Sequence, residues 1–237
     1  MRQVPVFLIN LDRSTDRLHR MRQRLEAAGL EWTRISAVDG QQALEAGIPD
    51  YTDVAALAVG GRRLRPGEIG CYLSHREAAQ RVADSGAEWG LVLEDDAVVP
   101  PDMAARLQAI IAALPEDTDL VNLGRPPRHG AAAIDADLGL MRAYYFPVTT
   151  TALLWRAEAA HAFCALGHPL TLPVDLFLQD WMTRTARGAA LLQPPVPADD
   201  STSVIYTGHR TGEVPDKLRY HLKRLGRLLR NRLNAIR

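Results

Sequence analysis

The chain has two cysteines in 237 residues, Cys71 and Cys164. That excludes a disulfide-built scaffold and any zinc motif resting on paired cysteines at fixed spacing. So little cysteine reads most simply as a reducing compartment. No apolar run approaches the roughly 18 residues that a membrane span requires. The short run Val4 to Leu11 is interrupted by Asn10 and followed by Asp12 and Arg13, so it reads as a first strand rather than a leader. No internal repeat and no low-complexity segment breaks the chain into units. Acidic residues are missing altogether after Asp216, while eight basic ones follow it: Lys217, Arg219, Lys223, Arg224, Arg227, Arg230, Arg232 and Arg237. The formal net charge of +0 therefore hides an acidic body, with 20 basic against 28 acidic residues before the tail, and a tail of +8.

What is present is an ordinary globular composition, 47% hydrophobic and 24% charged, long enough for one large α/β domain. VPVFLINL reads as a buried strand. The segment from Ser14 to Gly29 reads as a helix with Ser14 as N-cap, Leu18, Met21 and Leu25 on one face, and Gly29 as the stop. A strand follows over 31–38, closed by Asp39-Gly40, and 41–66 read as irregular. A helix is expected over 68–84, a strand over 89–93 and a helix from about Pro101 that carries Met103, Leu107, Ile110 and Leu114 inward. A short strand over 119–124 leads into a mobile loop, RPPRHGAAA. Residues 144–155 are β-favouring and 156–166 helical. Strands alternating with helices imply a Rossmann-type, mostly parallel sheet flanked by helices, with ligands bound beyond the carboxyl ends of the strands.

The stretch LVLEDDAVV, residues 91–99, drives a buried strand into three adjacent carboxylates. Strand alternation puts Glu94 and Asp96 on one side and Asp95 on the other. Two such oxygens suit a hard divalent cation bridging to a diphosphate, unless the acids are simply solvated at the strand's end.

NLDRSTDR (10–17), ISAVDG (35–40), LRPGEIGCYLSHREAAQ (64–80) and LVLEDDAVV together resemble glycosyltransferase family 25, the lipooligosaccharide galactosyltransferase family. The likeness covers roughly residues 4–100. It is weaker beyond, at LPVDLFLQDW (172–181) and PPVPADDSTS (194–203). The resemblance implies a GT-A-like fold and inverting transfer of a hexose, commonly galactose, from a UDP-sugar to a cell-envelope saccharide acceptor. It also implies Mn²⁺ or Mg²⁺ on the diphosphate. Asp96 and Glu94 are then the metal ligands, with His209 a further candidate. Asn10, Asp12, Arg17, Asp39, Ser74, His75, Glu94 and Asp95 are candidates for the donor site.

Each of these has a structural alternative. Arg13 and Arg17 read equally as a solvated helix face, Asp39 as a turn-former, and Ser74 and His75 as structural residues within a helix. Inversion needs a base to take the acceptor hydroxyl's proton. Asp175 in the P-x-D position is the first candidate and Asp180 the second, although Asp175 also suits a helix cap. Trp155 and Trp181 read as sugar platforms or as core. Other readings of the acids are a phosphohydrolase or nucleotidyltransferase, or a non-catalytic nucleotide-sugar-binding protein. Against a phosphatase, EDDAVV lacks the D-x-D-x-[TV] pattern.

The chain divides as a GT-A-like domain, 1–215, and a basic amphipathic C-terminal helix, 216–237. Leu218, Leu222, Leu225, Leu229 and Leu233 recur at helical spacing in that helix. It either packs its leucines on the domain or docks on anionic lipid beside a lipid-linked acceptor. The second reading places the protein in the cytoplasm, peripheral on the inner face of a bacterial membrane. Nucleic acid is an unlikely partner, since the body is acidic and carries no motif for it.

Overall fold

The computed structural model describes residues 4–199 and 216–236. Every residue of β1 (Val6–Asn10) is buried, which requires cover on both faces of the strand. Val6 and Leu8 face a core shared with Met21 and Leu25 of α1 (Thr15–Ala27) and with Met103, Leu107 and Ile110 of α5 (Met103–Ala113). Phe7 and Ile9 face the opposite core, with Ile69 and Tyr72 of α4 (Pro66–Asp84), Phe163 of α6 (Ala157–Leu166) and Trp181 of α7 (Val174–Thr185). The period-2 alternation of one strand thus builds both layers.

The remaining strands are β2 (Trp32–Ser36), β3 (Trp89–Glu94), β4 (Leu120–Asn122), β5 (Ala131–Asp135), β6 (Leu140–Ala143), β7 (Ala152–Arg156) and β8 (Gly188–Leu191). They form one sheet in the order β2-β1-β3-β7-β4-β8-β6-β5. β1, β2, β3, β4, β5 and β8 run one way, and β6 and β7 the other. The expected mostly parallel sheet flanked by helices is therefore what forms. The ends of β1 and β3 and the start of β7 meet along one edge, since Ile9 pairs with Glu94 and Leu93 with Ala152.

Several local expectations are corrected. Residues 41–66 contain two short helices, α2 (Gly40–Ala46) and α3 (Asp53–Val59). The Asp39 side chain caps the first, and the Thr52 hydroxyl accepts from Ala55 N–H in the second. The alanines after Gly130 are not a mobile loop but β5, paired with β6 in a hairpin. Alanine carries little strand signal, so only the pairing defines these residues. Of residues 144–155, only Ala152 onward is strand. Ser14 stands at the N-cap of α1, yet its side chain makes no capping bond. Gly29 does end that helix in the left-handed conformation, at φ 64°.

Two glycines fix where α4 starts. A Cβ on Gly40 would lie 1.7 Å from Pro66 O, and one on Gly70 would lie 2.5 Å from Val38 O. Side chains are excluded there, and the backbones of 38–40 and 66–70 touch. Trp155 and Trp181 are core residues, 0% and 7% exposed, and Trp155 stacks on Phe163 at 5.3 Å.

The C-terminal helix α8 (Lys217–Asn234) lies against α7. Asn231 Nδ2 donates to Asp180 Oδ1 at 2.5 Å, and the Lys223 ammonium donates to the Ala58 carbonyl. Among the described residues, no helix is long and apolar enough to cross a membrane.

Candidate active site

β3 stops at Glu94, and Asp95 and Asp96 form a turn. The alternation expected to carry Glu94 and Asp96 to one side therefore ends there. Each of the three carboxylates meets a different environment.

Glu94 turns toward α4. Its Oε1 accepts from the Thr150 hydroxyl at 2.6 Å and from His75 Nε2 at 2.9 Å, with Cys71 Sγ at 3.9 Å. Burial works to raise its pKa, but the bonds from His75, Thr150 and Cys71 outweigh burial and the net shift is downward. Donating to a carboxylate assigns the hydrogen to His75 Nε2 and leaves Nδ1, which is buried, without a partner. Burial and the charge of Glu94 push the Cys71 thiol well above its ordinary pKa, so it stays a thiol.

Asp95 turns toward the start of α1. Asn10 Nδ2 and Arg17 Nη1 each donate to it at 2.8 Å. Asp96 has no such donors. Among the described residues its Oδ1 is buried without a hydrogen-bond partner, and so is Arg17 Nη2. Burial, then the charges of Glu94 and Asp95, push Asp96 up to about 6, with Arg17 opposing.

The candidate donor residues sort accordingly. Asn10 is 1% exposed; it also donates to Ser14 O and accepts from Arg34 Nε at 3.1 Å. It is thus part of the frame, not a free ligand. Ser74 is likewise a frame residue, donating to Gly70 O at 2.6 Å and accepting from Val38 N–H at 2.8 Å. His75 supports Glu94. Asp12 is exposed and bound by Ser36 and Arg34, which lower its pKa in that order. Asp39 is paired with Arg13 while it caps α2, and the Arg13 bond is the main cause of its lowered pKa. His209 lies outside the described residues.

Asp175 follows the first residue of α7. Its Oδ1 accepts from Leu176 N–H at 2.8 Å. Burial raises its pKa, with Leu176 N–H opposing, and the charges of Glu68 and Glu94 raise it further. That puts Asp175 in the field of the strand mouth. Asp180 instead holds Asn231 and lies 3.6 Å from Arg230 Nη2. These contacts tie Asp180 to α8, whereas Asp175 stays in the field of Glu94.

Sequence reading missed Thr150, because a threonine in a β-favouring run carries no motif. It also missed Asn122, whose Nδ2 donates to Thr149 O and whose Oδ1 accepts from Gly124 and Arg125 N–H. Thr149 has φ 147°, a conformation that is rare for a β-branched residue. Such strain costs on the order of 1–3 kcal/mol and collects at working sites. Here it delivers the next hydroxyl to Glu94.

The wall facing Asp96 is the segment 196–199. Val98 N–H donates to Pro197 O at 2.8 Å, and Asp199 N–H donates to Asp96 O at 2.7 Å. Arg24 of α1 ties that wall down through Ala97 O and Asp199.

Two groups bear on metal binding. Asp96 offers a buried, unpartnered oxygen in a negative field, and an oxygen ligand suits Mg²⁺ or Mn²⁺. Cys71, His75 and Glu94 have ligand atoms within 4.8 Å of one another, a mixed set that suits softer ions. Glu94 Oε1 already receives donors from Thr150 and His75. Asp96 therefore fits the expected cation better.

The site is thus an acidic strand mouth in a helix-covered α/β sheet, with one carboxylate oxygen and one guanidinium nitrogen left without a partner among the described residues. The family model described as "Glycosyltransferase family 25 (LPS biosynthesis protein)" matches residues 3–126, just over half of the chain. The chain belongs to glycosyltransferase family 25. It is 36% identical over 132 residues to procollagen galactosyltransferase 1 of Danio rerio, covering 51% of this chain and 21% of that protein. It is 31% identical over 188 residues to the inactive glycosyltransferase 25 family member 3 of Homo sapiens, covering 73% and 31%. A solved structure titled "Crystal structure of a glycosyltransferase involved in the glycosylation of the major capsid of PBCV-1" aligns with TM-score 0.42 and 12% identity, over 75% of this chain and 73% of that one. The chain spans a fifth to a third of the length of these curated relatives.

Proposed function

We propose that this protein transfers a hexose, galactose in the first instance, from a UDP-sugar to a saccharide acceptor of the cell envelope, with inversion. The observation that carries the reading is two buried groups at the strand mouth without a partner among the described residues, Asp96 Oδ1 and Arg17 Nη2, with Arg17 acting electrostatically on Asp96. One suits a cation and the other a phosphate oxygen, and a cation-bound diphosphate supplies both. The family description supports an envelope glycan, and the relatives named as galactosyltransferases support the sugar.

When bound, a divalent cation on Asp96 offsets the charge of the leaving diphosphate. Arg17 donates to that diphosphate while Asp95 fixes the guanidinium. Glu94, held by His75 and Thr150, keeps the field negative without reaching out. Asp175, its pKa raised by burial, takes the proton of the acceptor hydroxyl as the oxygen bonds to the anomeric carbon. The bond from that carbon to the diphosphate breaks, and UDP departs with the electron pair.

Calorimetric titration of UDP and UDP-galactose, with and without Mn²⁺, tests the donor site. Metal-dependent binding that disappears in Asp96→Ala is the expected result; no UDP binding under any metal condition sinks the assignment. Asp175→Asn is expected to bind UDP-galactose normally and to lose turnover by roughly 10²–10⁴-fold, the span of general-base catalysis. A second reading, nucleotide-sugar binding without turnover, is favoured by the relative named inactive. Binding by the wild type with no UDP released in the presence of envelope saccharides would select it.

A further inference from the structure

We infer that α8 is a lipid-docking helix that seats this protein on an anionic membrane surface through an outward-facing leucine ridge. Leu218, Leu222, Leu225, Leu229, Leu233 and Ile236 are between 51% and 78% exposed. Steps of three and four residues bring the five leucines onto one face of α8, with Ile236 just past its end. Helices of soluble domains turn such a stripe inward, and this one does the reverse.

The reason lies on the other face. Asn231 is 1% exposed and bonded to Asp180. The Lys223 ammonium holds the Ala58 carbonyl. The helix backbone at Tyr220 lies so close to Gly61 that a Cβ there would meet Tyr220 Cα at 2.9 Å. The cleft under the helix, about 390 Å³, has Leu64, Leu172 and Leu176 as well as Arg62 and Asp180 on the body side, and Tyr220, Lys223 and Arg227 on the helix side. α8 is therefore bound by its polar side, which leaves the ridge without a partner among the described residues.

The flanks of the ridge identify what covers it. Lys217, Arg219, Arg224, Arg230 and Arg232 are exposed, and no acidic residue follows Asp216. Helical spacing places Arg219 and Arg230 on one side of the ridge, and Lys217, Arg224 and Arg232 on the other. Pairing two copies through their ridges brings basic flank against basic flank; Arg230 lies 3.6 Å from Asp180, but α8 carries no acid after Asp216 to offset Lys217, Arg219, Arg224 and Arg232. A bilayer with anionic headgroups accepts the leucines and neutralises both flanks at once. Nucleic acid matches the charge but leaves the leucines in water.

The test uses the full chain and vesicles of phosphatidylcholine, with and without phosphatidylglycerol. The protein is expected to co-sediment with the anionic vesicles and to be released by salt. The triple variant Leu222→Ser/Leu225→Ser/Leu229→Ser is expected to lower the bound fraction at least tenfold with a nearly unchanged unfolding midpoint, since those side chains are more than half exposed. The triple variant Arg219→Gln/Arg224→Gln/Arg232→Gln is expected to lose the preference for phosphatidylglycerol. Wild-type protein that stays in the supernatant overturns the inference. Vesicle binding that survives the leucine changes also overturns it, since charge alone then acts. A concentration-dependent dimer dissolved by the leucine changes assigns the ridge to a second copy and overturns it too. Vesicle binding is read without donor or acceptor, so it stands or falls apart from the transfer reaction.

Discussion

Helices α1 and α8 carry the same kind of pattern, arginines interleaved with leucines at helical spacing, and present it in opposite senses. In α1, Met21 and Leu25 are fully buried against the sheet. Its polar face then does the site's work: Arg17 donates to Asp95, and Arg24 holds the wall beside Asp96. In α8 the polar face meets the body and the leucines meet solvent. Amphipathicity says that a helix has two faces; the surface it meets decides which one is buried. α1 lies over an apolar sheet face left by β1 and β3. α8 meets α7 at Asp180, a half-buried carboxylate whose hydrogen-bond demand an asparagine satisfies and a leucine does not.

The contrast breaks most directly by truncation. Leu25→Ala is expected to cost about 2–5 kcal/mol in urea unfolding, as a buried leucine does. Leu229→Ala is expected to stay within about 0.5 kcal/mol, as an exposed side chain does. Equal losses would mean that the ridge is packed after all.

The next effect concerns the acid beside α1. The folded state holds the Asp96 proton up to about pH 6, against an ordinary value of 3.8. A raised carboxylate binds its proton more tightly when folded. Its ionisation therefore costs stability that is fully felt above pH 6 and fades as pH falls toward 4. Asp96→Asn is expected to gain up to about 3 kcal/mol over wild type at pH 8 and little at pH 4, at about 1.4 kcal/mol for each tenfold change in proton affinity. Urea titrations at the two pH values check this; a gain independent of pH would assign the effect to something other than charge. By the same linkage, Mn²⁺ binding to the wild type weakens as pH falls below 6.

On the α8 side, Asn231→Ala leaves the Asp180 oxygen without its donor. That is expected to cost about 1–3 kcal/mol, the range for a stranded buried group. α8 should then become the first segment cut in limited proteolysis. An unchanged cleavage pattern would mean that the Asn231–Asp180 bond does not hold the helix.

Much of the frame is legible in the sequence because period and composition are local. VPVFLINL has no polar face and so needs cover on both sides. The turn signal Asp39-Gly40 and the stop at Gly29 fall where the chain turns. β5 and β8 are not legible: each is short and alanine-rich, and only a neighbouring strand makes it a strand. Asp39 and Thr52 cap α2 and α3, helices too short for their own periodicity to show.

The acids divide the same way. LEDD by itself establishes that a strand ends in three carboxylates and that something must offset them. It does not say which one stays free, because the compensating donors come from far along the chain. His75 and Thr150 reach Glu94, and Asn10 and Arg17 reach Asp95, leaving Asp96. In the tail, the sequence determines a helix with one leucine face and one basic, asparagine-bearing face. Which face turns outward follows only from the fold, because Asp180, 51 residues away, must be matched by a donor.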